Sequence, residues 1–153
     1  MAIFLATAAG SGYAPVAPGT FGSAVGVLLY LPLVALGPWL YLLSTLALLS
    51  LGVWASDEAE RVFARKDDGR IVIDEVVGQL LTFAPFVMLE IRAGVLWLVT
   101  GFVVFRLLDI WKPGPARWAE RRFEGGAGVM LDDVVAGLMG AAVMTVLIGV
   151  LGA

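Results

Sequence analysis

The chain contains no cysteine and no histidine, and long stretches of it carry no charge. Without cysteine there is no thiol nucleophile, and no redox compartment can be read. Without histidine the commonest general base is missing, together with a phosphohistidine route and any His-ligated zinc. Residues 1–56 and 134–153 hold no Asp, Glu, Lys or Arg, so all charge falls between Asp57 and Asp133. Only 15% of the chain is charged and 60% is hydrophobic. Soluble domains lie nearer about a quarter and about half, so this composition belongs to a membrane protein. The net charge of −3 argues against a nucleic-acid partner. The opening MAIFLATAAG lacks the basic start of a signal peptide and is not expected to be cleaved. Chemistry must therefore run on carboxylates, Arg, Lys, hydroxyls and backbone amides.

Apolar residues gather in five segments, roughly 21–36, 39–55, 76–89, 93–108 and 134–151. Gly37-Pro38 separates the first pair and Glu90-Ile91-Arg92 the second. Breaks this short predict two antiparallel helical hairpins, followed by a C-terminal helix. A bilayer span needs about 20 residues. The segment 76–89 is shorter and holds Pro85, so it is expected to be re-entrant or buried in the bundle. Each hairpin starts and ends on one side. The shared side collects the start of the first segment, the linker 56–75, the end of the fourth segment and the linker 112–133. It also collects every Lys and Arg except Arg92, which makes it the cytoplasmic side. Trp54, Trp111 and Trp118 suit an interfacial belt there. Two linker pieces read as short interfacial helices. SDEAERVFARKDDG offers Ser56 as N-cap and an Asp57–Arg61 pair one turn apart. PARWAERRFEGG sets Trp118 and Phe123 among arginines. The chain is thus read as one all-α domain over 1–153, a membrane-associated helical bundle.

Four stretches hold polar groups that apolar surroundings do not explain. GSGYAPVAPGTFGS, residues 10–23, predicts an irregular loop leading to a helix N-terminus, where free N–H groups favour an anion. Gly19, Thr20 and Ser23 are its candidate phosphate contacts, with Thr20 also a possible N-cap. A flexible turn at the membrane edge explains the loop equally well. It is not a Walker or dinucleotide loop, since no Gly-Lys-Ser/Thr follows and no strand precedes it. IVIDEVVGQ puts Asp74 and Glu75 at the start of the third helix, and capping explains one acid better than two. Gln79, one turn on, wants a partner inside the bundle. FRLLDIWKPGP places Arg106 and Asp109 three apart on one helix face, with Lys112 following. Snorkelling explains Lys112 better than Arg106. GGAGVMLDDVVAG ends with Asp132 and Asp133 at the mouth of the last helix, where one cap is enough.

Asp74, Glu75, Asp109, Asp132 and Asp133 on one face repel one another unless a cation lies among them. Oxygen-only ligands select a hard cation, Mg²⁺ first, which takes a few carboxylates and then phosphate oxygens. Arg106, Lys112 and the glycine loop are the complementary phosphate contacts. The residues alone point to a Mg²⁺-dependent site for a phosphorylated substrate at the membrane surface. A small ion transporter or channel subunit is the competing class, but it would want charge at mid-depth in full spans. A phosphatidyl- or alcohol-phosphate transferase would want Asp at regular helical spacing, which LDDVVAG does not continue.

In this order and spacing, the four stretches resemble the bacterial phosphatidylglycerophosphatase A family over about residues 10–137. The resemblance implies a compact all-helical bundle in the bacterial inner membrane. It implies Mg²⁺-dependent removal of the terminal phosphate from phosphatidylglycerophosphate, in phospholipid biosynthesis. Asp74, Glu75, Asp109, Asp132 and Asp133 match the family's acidic positions and are the expected metal ligands. Asp74, Glu75, Asp109 and Asp133 are also counted as catalytic, one of them as general base toward water. Arg106 and Lys112 match its basic positions and are expected to hold the phosphate. Another phospholipid phosphomonoester is the alternative substrate.

Overall fold

Long apolar runs leave backbone N–H and C=O groups little to bond but each other, and helix satisfies them within one segment. The computed structural model describes residues 1–152, with Glu120 and Arg121 given by their backbone alone. These residues form α1 (Ala2–Ala6), α2 (Pro18–Leu33), α3 (Pro38–Phe63), α4 (Ile73–Met88), α5 (Val95–Trp111), α6 (Gly114–Arg122) and α7 (Gly125–Leu151). No strand occurs among the described residues. Pro18 and Pro38 each open a helix, where a missing N–H costs no intrahelical bond. Gly37, at φ +77, turns the chain between α2 and α3.

Pro18–Leu36, Pro38–Phe63 and Gly125–Leu151 are long and apolar enough to cross a membrane. Helix α4 differs. Its 16 residues rise about 24 Å, too short for a comfortable span. It lies inside the bundle instead, with Val76, Val77, Leu80, Phe83 and Phe86 fully buried. It packs chiefly against α7, α2 and α3. The two arms of the first hairpin, α2 and α3, barely touch each other and meet α4 instead. The hairpin connections are therefore as expected, but the packing centre is the α4–α7 pair.

Glycine makes that pair close. A Cβ on Gly137 would stand 2.5 Å from the Gly78 carbonyl oxygen, and one on Gly78 would stand 2.8 Å from the Asp133 carbonyl oxygen. One turn on, the Thr82 hydroxyl donates to the Gly78 carbonyl at 3.0 Å and reaches the Gly137 carbonyl at 3.4 Å.

Three expected boundaries move. Helix α3 runs through Ser56 to Phe63, so Ser56 is a buried residue within it and not an N-cap. No breaker stands between Ala55 and Ser56, so the helix continues through the acids. Arg61 pairs with Glu58 at 2.7 Å rather than with Asp57. Thr20 is no cap either, because α2 already begins at Pro18. Most consequential, α7 begins at Gly125, two turns before residue 134. GGAG is helix, and its glycines serve close packing: a Cβ on Gly126 would collide with the Val53 carbonyl oxygen of α3.

Asp57 caps α7 from a distance. Its Oδ1 accepts a hydrogen bond from the Gly126 N–H at 2.5 Å, where the side chain of the N-cap residue Glu124 makes no capping hydrogen bond. Asp57→Ala should cost about 1 kcal/mol of stability, as loss of an N-cap does. Thermal unfolding in detergent checks this, and an unchanged midpoint would refute it.

Candidate active site

The alternating run of helices brings the start of α2, the end of α3, the start of α4, the end of α5 and the start of α7 to one end of the bundle. Asp74 and Glu75 stand in the first turn of α4, where the helix dipole favours negative charge. Asp133 stands in the third turn of α7, one turn before Gly137. Residues four apart share a helix face, so Asp74 lies over Gly78 and Asp133 over Gly137. The glycine crossing therefore sets these acids opposite each other.

Carboxylate oxygens of Asp74, Glu75 and Asp133 all lie within 4.8 Å of one another. Asp133 is 3% exposed. Asp74 Oδ1, Glu75 Oε2 and Asp133 Oδ2 are buried without a hydrogen-bond partner. Burial pushes the Asp74 carboxyl well above the usual carboxylate range, and the nearby Glu75 and Asp133 push it further. A site of three crowded carboxylates with unused lone pairs and no nitrogen or sulfur donor fits a hard divalent cation.

The other two acids are engaged differently. Asp109 accepts a hydrogen bond from Arg106 Nη1 at 2.5 Å. Asp132, adjacent in sequence to Asp133, points about 100° around the helix from it. It meets Lys112 instead, with Nζ 2.5 Å from its Oδ2. The structure thus converges three of the five acids, ties Asp132 to Lys112, and sets Asp109 both on Arg106 and beside Asp133 and Glu75. Arg106 joins the groups: its Nη1 is also 3.9 Å from Glu75 Oε1 and 3.4 Å from the Ser23 hydroxyl.

As expected, residues 10–17 are irregular, with a single 3-10 turn at Ser11–Tyr13, and lead into α2 at Pro18, so Gly19, Thr20 and Ser23 stand in the first turns of that helix. Gly19 backs directly onto the site. A Cβ there would collide with Glu75 Oε1 and stand 3.2 Å from Arg106 Nη1. The Ser23 hydroxyl donates to the Gly19 carbonyl at 3.0 Å, which leaves its lone pairs facing Arg106. Thr20 lies in the same turn, its N–H bonded to the Ala17 carbonyl at 2.9 Å. Gln79 is fully buried, as its place in an apolar run requires, and both its amide atoms lack a hydrogen-bond partner.

The glycines Gly78 and Gly137 have no place in the sequence-derived site, yet they position it. Their signal was present: DEVVG and DVVAG each put a glycine four residues after an acid. Asp57, which holds the start of α7, carried no signal beyond a helix i,i+4 pair that does not form.

The phosphatidylglycerophosphatase A family model matches residues 4–148. The chain is 37% identical over 141 residues to phosphatidylglycerophosphatase A of Escherichia coli K12, covering 92% of this chain and 79% of that protein. It is 36% identical over 135 residues to the Haemophilus influenzae protein of the same name, covering 88% and 80%. It is also 36% identical over 142 residues to a Bacteroides thetaiotaomicron protein provisionally named a phosphatidylinositol-3-phosphatase, covering 89% and 86%. No solved structure matches significantly. Matched over nearly its whole length, with all four polar stretches inside the match, the chain belongs to the phosphatidylglycerophosphatase A family of phosphatases.

Proposed function

We propose that this protein is a Mg²⁺-dependent phosphatase that hydrolyses phosphatidylglycerophosphate to phosphatidylglycerol and phosphate in phospholipid biosynthesis. The observation that carries the reading is the buried trio Asp74, Glu75 and Asp133, with unpartnered oxygens beside Arg106. The names of the E. coli and H. influenzae relatives support the substrate. Every Lys and Arg but Arg92 lies toward the active end, which supports a bacterial inner-membrane location with that end in the cytoplasm.

Asp74, Glu75 and Asp133 would hold the ion, which when bound supplies charge neutralisation and polarisation of a phosphoryl oxygen. Arg106 holds the phosphate monoester, with Gly19 leaving room for it and Ser23 and Asp109 fixing the guanidinium. Lys112 keeps Asp132 compensated at the edge of the site and adds positive charge toward the phosphate. A carboxylate of the cluster accepts a proton from water as it attacks phosphorus in line. The P–O bond to the glycerol breaks, that carboxyl gives its proton to the departing oxygen, and the lipid leaves as its alcohol. A phospho-aspartyl intermediate is the rival. A single turnover with substrate carrying a radiolabelled terminal phosphate, quenched in acid, separates them: label in lipid and free phosphate alone is expected, and label trapped on the protein would overturn water attack.

The direct test is phosphate release from phosphatidylglycerophosphate in detergent micelles, with Mg²⁺ and then with EDTA. Release that stops on chelation and returns with Mg²⁺ is expected. Release unaffected by chelation would remove the ion, and no release by folded protein would remove the substrate. The Bacteroides relative favours one second reading, a phosphatidylinositol 3-phosphate headgroup. Running both lipids side by side decides between them, since the trio and Arg106 would serve either phosphomonoester.

A further inference from the structure

We infer that the seam between α2 and α5 is a subsite for an acyl chain of the lipid substrate. The inference rests on the phosphatase reading above. Ser23 of α2 and Arg106 of α5 meet across this seam at 3.4 Å. Val27 lies one turn beyond Ser23 and Phe102 one turn before Arg106, so both sit directly beneath that polar contact. With Ala24, Leu28, Leu98 and Val99 they line a groove of about 360 Å³. Every lining side chain is aliphatic or aromatic, and the groove opens onto the outer surface of the bundle.

One amphiphile satisfies both ends of this seam. A phosphate belongs at Arg106, which also faces Glu75 of the trio. A hydrocarbon tail belongs in the groove one turn below. The continuity matters more than the apolarity, because any lipid-facing surface is apolar. Bilayer hydrocarbon is as apolar as the groove, so seating a chain there gains little affinity. What it gains is orientation: a tail lodged beneath Arg106 fixes the direction from which the headgroup reaches the trio, and a misplacement of about 1 Å can cost about 100-fold in rate. The groove should therefore act on kcat for long-chain substrate more than on KM.

The test compares dioleoyl and dihexanoyl phosphatidylglycerophosphate, using wild type, Val27→Trp and Val99→Trp. Neither residue touches the acid cluster, and both substitutions fill the groove. Expected is a fall of roughly 10-fold in kcat for the dioleoyl substrate, with the dihexanoyl rate within about 2-fold of wild type. Folded variants with both rates unchanged would overturn the subsite. Wild type inert on both lipids would overturn the phosphatase reading, and the subsite with it. Should both variants lose both rates, wild type is labelled with a dioleoyl-length substrate carrying a diazirine near the end of one tail. Preferential crosslinks to α2 and α5 at the seam support the inference. Equal labelling by phosphatidylcholine with the same diazirine would assign the groove to bulk lipid, and crosslinked protein pairs through the seam would assign it to a second copy. Either result overturns it.

Discussion

Asp133→Asn should lower phosphate release by about three orders of magnitude while leaving the fold intact. The side chain is 3% exposed, and it meets Asp74 and Glu75 with a buried oxygen that has no hydrogen-bond partner. Asparagine keeps its shape and removes one of three crowded negative charges. The metal-free variant should therefore melt no lower than metal-free wild type, because like charges in a buried site oppose folding. Mg²⁺ separates the two proteins. At a hundredfold excess over its dissociation constant, a ligand that binds only the folded state adds about 2.7 kcal/mol. Wild type should show that rise in melting temperature and Asp133→Asn should lose most of it. A variant that keeps both the Mg²⁺ shift and a tenth of the release would take Asp133 out of the site. Its sequence neighbour gives a contrast. Asp132 is paired with Lys112 and lies outside the trio, so Asp132→Asn should leave more of the Mg²⁺ shift than Asp133→Asn does.

Gly137→Ala is the second large effect, and it adds one methyl group a helical turn away from the acids. The new Cβ would meet the Gly78 carbonyl oxygen at 2.5 Å and the Gly78 Cα at 2.9 Å. Both are backbone atoms in the centre of the bundle and cannot swing away, so α4 and α7 must separate. Overpacking of this kind costs about 1–3 kcal/mol. The loss of activity should be larger than the loss of stability, since the trio spans the same two helices one turn away, and a shift of about 1 Å can cost about 100-fold in rate. Gly149→Ala on the same helix is the control. Nothing lies within 4 Å of its added Cβ, so it should stabilise α7 by roughly 0.5–1 kcal/mol and leave activity alone. Unfolding and phosphate release measured on both variants check this, and full activity in a folded Gly137→Ala protein would refute the positioning role.

The sequence by itself determined the helices, the membrane character and the end of the bundle where the polar groups gather. The reason is local. Charge-free apolar runs become helices, Gly37-Pro38 and Glu90-Ile91-Arg92 interrupt them, and an alternating path returns the linkers 56–75 and 112–133 to one side. It also showed which residue types stood out. The Arg106–Asp109 pair was legible because three residues along a helix is a fixed distance. The partners of the other acids were not. Asp132 and Asp133 are neighbours in the chain, but they point to different places: one to Lys112 of the α5 C-terminus, the other to Asp74 and Glu75 of α4. That division depends on where α7 begins, and a glycine-rich run reads as loop until a second backbone is seen pressing against it. Gly126 against Val53 and Gly137 against Gly78 are properties of pairs of helices, not of either segment. Only the tertiary structure decided which three carboxylates converge, because convergence is set by where two helices are bare enough to cross in contact.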